Sequence, residues 1–138
     1  MADYHFSKII TNNLEELLVL AEDVELFAEQ TEWSPAVTMQ INIVIEELIV
    51  NTINYGYSDA RVGSIQITIK STTQRIVLEI KDDGDAYNPL QNDMPDTTLE
   101  IEDRPIGGLG IFLVKNYMDT FDYAYSEGHN CINLSKQL

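Results

Sequence analysis

The run Ile45-Glu46-Glu47-Leu48-Ile49-Val50-Asn51-Thr52-Ile53-Asn54-Tyr55 puts carboxylates and carboxamides into an otherwise apolar segment. Ser34-Pro35 starts the helix that carries it, with Ser as cap and Pro at the first position. The helix runs to about Asn54 and is apolar on most of its circumference, so it is expected to be the buried one. Glu47 and Asn51 are four residues apart and share a face, which Asn54 and Tyr55 continue a turn later. Polar groups on such a helix are costly unless paired, hydrated or bound to something. Two readings of Glu47 and Asn51 therefore stand. They form a solvated carboxylate and a buried polar crosslink, or they order a hard cation and accept a proton from a hydroxyl. Glu46 reads as a solvated helix face.

Working outward, Tyr4–Thr11 alternates loosely as a first strand, and Asn13 caps a first helix running from Leu14 to about Gln30. Downstream, Ser64–Lys70 and Arg75–Lys81 alternate with Ile65, Ile67, Ile69, Ile76, Leu78 and Ile80 inward, joined as a hairpin. A polar segment spans Asp82–Ile106. A third helix opens at Gly107-Gly108-Leu109-Gly110, and strands at about Thr120–Ser126 and Asn130–Ser135 meet at a Glu127-Gly128 turn. The order β α α β β loop α β β implies an α+β, two-layer α/β sandwich. Its mixed or antiparallel sheet carries helices on one face. With 138 residues and no linker or repeat, a single domain over 1–138 is expected.

Charge narrows the partners. Eight Lys and Arg against 23 Asp and Glu leave −15, a field that repels nucleic acid and anionic membranes. Any polyphosphate ligand needs a divalent cation or oriented backbone amides to offset it. The acids cluster: eight fall in the first 32 residues, where Lys8 is the single basic residue, and eight more between Asp82 and Asp103. This predicts a basic face on whatever protein docks there. Cys131 is alone and reads as buried packing. Met1-Ala2-Asp3-Tyr4-His5 lacks the basic start of a signal peptide, so a cytoplasmic location is expected.

Two further segments can carry chemistry. Asp82-Asp83-Gly84-Asp85-Ala86 ends a strand with a carboxylate able to accept from an exocyclic amine; in isolation it also reads as a turn. It lacks the closing Glu of a calcium loop. Gly107-Gly108-Leu109-Gly110 opens an apolar helix and exposes N–H groups at a positive dipole end, a phosphate site or a flexible hinge. No Gly-Lys-Ser/Thr follows, so it is not a Walker loop.

The ordered set is more specific than its parts. Glu47-x-x-x-Asn51, Asp82-x-Gly84, a long loop and Gly107-Gly108-x-Gly110 resemble the Bergerat-fold ATP-binding superfamily of gyrase B, Hsp90, histidine kinases and MutL. Within it, the chain looks most like the bacterial anti-sigma factor serine/threonine kinases. Asn54-Tyr55-Gly56-Tyr57 shares the family's look. The resemblance implies ATP and Mg²⁺ as cofactors, with Asn51 on the metal and Glu47 as the base activating a protein Ser or Thr hydroxyl. It further implies Asp82 reading the adenine amine, Gly84 giving room for the ring, and Gly108 and Gly110 presenting N–H groups to phosphates. Asn54, Ala86, Gly107 and Leu109 would complete the nucleotide site. A lid over 88–106 would close on ATP, with Arg104 meeting a phosphate. Ala86 stands where relatives have a second glycine, and Asn130-Cys131 where they place a threonine near the adenine. Implied partners are an anti-sigma-factor antagonist of the STAS type, a sigma factor, and a second copy meeting the first strand and helix. The alternative is a nucleotide-binding switch without phosphotransfer.

Overall fold

Period-two burial builds the sheet. In the computed structural model, which describes residues 3–59, 61–91 and 108–138, five strands are laid down. They are β1 (Tyr4–Thr11), β2 (Ser64–Ser71), β3 (Arg75–Asp82), β4 (Thr120–Ser126) and β5 (His129–Gln137). Their spatial order is β1-β2-β3-β5-β4 and every pairing is antiparallel, so of the two sheet types expected the antiparallel one is realised. Ile67 faces Ile80 and Ile69 faces Leu78; across the next seam Ile80 meets Ile132 and Leu78 meets Leu134. All are buried on one face. The opposite face carries half-buried Thr68, Glu79, Lys81 and Cys131, so the expectation of a fully buried Cys131 is corrected: its register beside Lys81 turns it outward.

Three helices cover the apolar face: α1 (Glu16–Thr31), α2 (Pro35–Tyr55) and α3 (Gly108–Tyr117). α2 lies between the other two and buries Ile41, Val44, Ile45, Leu48 and Ile49. Each such side chain contributes about 1.5–3 kcal/mol by leaving water. By length and composition α2 could cross a membrane, yet its apolar side is spent on this core. Ser34 Oγ accepts from the Val37 N–H at 3.2 Å, the predicted cap. Asn13 departs slightly from expectation. Its Oδ1 takes the Glu15 N–H at 2.9 Å, but that bond closes a turn, and α1 proper begins at Glu16.

Two local devices fix the frame. Trp33 Nε1 donates to Ser71 Oγ at 3.0 Å while its ring meets Phe27 edge-on at 5.5 Å, tying the α1–α2 corner to β2. Glu127 and Gly128 both take positive φ, 53° and 79°, as an I′ hairpin turn requires. That turn sets the β4–β5 register, and the pairing of β5 with β3 places Asn130 opposite Asp82.

Candidate functional site

The site lies where α2, the end of β3, β5 and the start of α3 converge. At one end is Glu47, half-buried on α2. Its carboxylate packs against the first turn of α3 so closely that a Cβ on Gly110 would collide with Oε2. A larger residue there would push the Glu47 side chain out of this position. Burial pushes the Glu47 carboxyl above the usual carboxylate range, and the charge of neighbouring Glu46 adds to the effect. One turn along, Asn51 is 3% exposed and its Nδ2 has no hydrogen-bond partner among the described residues. A buried amide left unpaired costs about 1–3 kcal/mol, so something must complete it. Which end of a carboxamide is oxygen is set by its surroundings, so Asn51 can present either a donor or an oxygen ligand.

α3 begins at Gly108, and the first turn of a helix leaves its N–H groups without partners inside the helix. Gly108, Leu109 and Gly110 form that first turn, and Gly110 lies against Glu47. Arg104, Gly107 and the lid beyond residue 91 lie outside the described residues; of the lid, a short 3₁₀ turn at Pro89–Gln91 is described.

At the other end is Asp82, 2% exposed at the last position of β3. Burial pushes its carboxyl up, and hydrogen bonds from Asn130 and the Gly84 N–H pull against that without cancelling it. Both bonds, each 2.9 Å, fall on Oδ1. Asn130 is saturated. Its Nδ2 donates to Asp82 Oδ1 and to the Asp85 carbonyl at 2.9 Å, while its Oδ1 accepts from the Tyr87 N–H at 3.1 Å and the Tyr123 hydroxyl. Asp82, Asn130, Leu48, Asn51, Tyr87 and Pro89 are among the walls of a slot of about 10 Å³, room for a single water. Tyr87 stacks on Tyr55 at 5.1 Å over this region. A purine would enter only with the Tyr87–Pro89 stretch displaced.

Other expectations change on contact with the structure. Gly84 serves a backbone contact that the resemblance did not imply. A Cβ there would stand 2.6 Å from the Gly56 carbonyl oxygen, so the glycine lets the end of β3 close against the end of α2, a bond from the Asp85 N–H to that oxygen completing the join. Asn54 and Ala86 are exposed and do not line the slot. Asp83 and Asp85 are structural. Burial raises the Asp83 carboxyl, but the Ser64 N–H at 2.8 Å and the Tyr57 hydroxyl at 2.7 Å outweigh it and leave it below the usual range. Asp85 is held low by the Ser58 hydroxyl at 2.7 Å.

The four bonds at Asn130, and the part of Tyr123 in them, escaped the sequence reading. Only the pairing of β5 with β3 places Asn130 beside Asp82, and no local sequence signal announces it. Among the described residues no group of three His, Cys, Asp or Glu could hold a metal by itself. A cation at Asn51 would need oxygens from a ligand as well.

Comparison with known proteins agrees with this geometry. Residues 10–136 match the family described as the histidine kinase-like ATPase domain. The chain belongs to this family, whose ATPase domain implies ATP binding. It is similar to the serine/threonine-protein kinase BtrW of Bordetella bronchiseptica, 25% identical over 112 residues, covering 81% of this chain and 79% of the relative. Its fold is shared with the histidine kinase domain of the blue-light activated histidine kinase EL346 from Erythrobacter litoralis. That likeness has a TM-score of 0.53 at 10% identity, covering 90% of this chain and 60% of the other.

Proposed function

We propose that this protein is a Mg·ATP-dependent serine/threonine protein kinase of the anti-sigma, partner-switching type. The observation that carries the reading is the Glu47 carboxylate, raised by burial and set against the glycine turn of α3, with the unpartnered Asn51 amide one turn away. The similarity to a serine/threonine kinase over four fifths of the chain supports it.

In this reading Asp82 accepts the exocyclic amine of adenine on Oδ2, since Asn130 and Gly84 occupy Oδ1. The N–H groups of Gly108 and Gly110 meet phosphate oxygens at the positive end of α3. Asn51 turns its carboxamide oxygen to Mg²⁺, whose chemistry when bound is to neutralise phosphate charge. Glu47 takes the proton of an acceptor Ser or Thr hydroxyl as its oxygen bonds to the γ-phosphorus and the bond from that phosphorus to the β–γ bridging oxygen breaks, releasing ADP. A raised carboxyl is a stronger base once deprotonated, which suits this task. The acceptor belongs to a STAS-type antagonist, with a sigma factor as the alternating partner, all in the cytoplasm. Exposed Ile9 on β1 and Val19 on α1 support a homodimer through that surface.

The test is to incubate the protein with Mg·ATP and the antagonist encoded beside its gene. Phosphoserine or phosphothreonine on the antagonist, with ATP raising the melting temperature, is the expected result. No transfer and no thermal shift would overturn the reading; a shift without transfer would favour a nucleotide switch.

A further inference from the structure

A groove of about 750 Å³ runs between α1 and α2 on the side of α2 away from Gly110. Its floor is apolar: Ala28, Trp33, Met39 and Ile43, with Met39 52% exposed. Its rim is acidic, with Glu25 and Glu29 one turn apart on α1, Glu32 just past its end and Glu46 opposite on α2. A second cavity of about 120 Å³, lined by Leu17, Leu18 and Ile45, continues the seam and shares Asn42 and Glu46 with the first. Among the described residues no Lys, Arg or His lines either one.

We propose that this seam is the docking groove for an amphipathic helix of a partner protein, its apolar stripe on the Trp33–Met39–Ile43 floor and its Lys or Arg residues against the glutamate rim. Leu17 to Thr31 lie about 21 Å apart along α1, the length of a helix of about fifteen residues. An apolar strip flanked by charge of one sign is what a helix-in-groove contact requires, and the rim selects the cationic partner. A second copy of this chain seated here would set one glutamate rim against another, whereas the β1–α1 surface offers apolar Ile9 and Val19 for that contact. Anionic lipid and nucleic acid meet the same repulsion. The proposal does not rest on phosphotransfer, and Glu46 faces this groove while its neighbour Glu47 faces α3.

Trp33 is the single tryptophan of the chain and forms part of the floor, so its fluorescence reports occupancy. The probe is a synthetic Leu/Lys peptide of about fifteen residues with helical spacing. It is run beside a scrambled isomer and a counterpart with Glu for Lys. A saturable Trp33 blue shift with the Leu/Lys helix, about tenfold weaker with the scrambled isomer and absent with the Leu/Glu peptide, is expected. Met39→Asp and Glu29→Lys, both at exposed positions, each weaken binding about tenfold, while Asp122→Lys on exposed β4 changes it less than about twofold. Equal weakening by Asp122→Lys would show unspecific charge attraction and overturn the proposal. So would retention of binding in Met39→Asp, or a Trp33 shift that follows the protein's own concentration without peptide. Affinity for ATP is read on the same variants and stays unchanged.

Discussion

The two ends of one cleft are built on opposite principles. At the Asp82 end, every donor and acceptor of Asn130 is used, the walls leave room for about one water, and the polar network is closed. Both ends hold a carboxyl above its ordinary range, but at the Glu47 end the Asn51 amide, which also walls the slot, has an Nδ2 without a partner among the described residues. The first end resembles a satisfied core and stabilises the fold. The second carries uncompensated polarity of the kind that a ligand completes, and functional sites concentrate such groups. In the proposed reading the closed network lies where the base would bind and the incomplete groups lie toward the phosphates.

The contrast breaks most visibly at Asn130. Asn130→Ala leaves the Asp85 carbonyl, the Tyr87 N–H and the Tyr123 hydroxyl without their partner and strips one donor from buried Asp82. A loss of about 3 kcal/mol in unfolding free energy by denaturant titration is expected. A loss below about 1 kcal/mol would mean the network is not the stabilising end. Asn51→Leu tests the opposite end and should carry the opposite sign. Replacing a buried orphan amide by an apolar group of similar shape raises stability by about 1 kcal/mol, while Mg·ATP no longer shifts the melting temperature. If both variants destabilise equally, the two ends are not different in kind.

The smallest effect concerns Glu46. Glu46→Gln removes the like charge that adds to burial in raising Glu47. A base works when deprotonated, so activity rises with pH through the Glu47 titration. In the variant the acid limb of the rate–pH profile moves to lower pH. A profile that stays in place would show that Glu46 does not act on Glu47.

How much of this the sequence disclosed follows the range of each interaction. The helices, the Ser34 cap, the hairpins and the shared face of Glu47 and Asn51 rest on spacings within one or two turns, and all were legible. So was Asp82 as a carboxylate ending an inward strand. The use of Gly84 was not, because the atom that excludes a Cβ there is the Gly56 carbonyl oxygen, on another element. Gly110 was legible as a helix opener but not as the seat of the Glu47 carboxylate, for the same reason. Asn130 looked like a substitution at a base-reading position. Only the pairing of β5 with β3 shows that it holds Asp82 and the following turn together. The −15 likewise had a visible cluster in the first 32 residues, yet its use as the rim of a groove depended on α1 packing beside α2.

The most direct measurement is made on Glu47→Ala, reading ATP affinity and phosphoryl transfer to the antagonist in the same preparation. Removing a positioned general base costs about 10²–10⁴-fold in rate. The expected result is transfer lowered by at least about 100-fold with ATP affinity within about threefold of the unaltered protein. Transfer that persists at the original rate would contradict the assignment of Glu47 as the base and, with it, the proposed role of the incomplete end of the cleft.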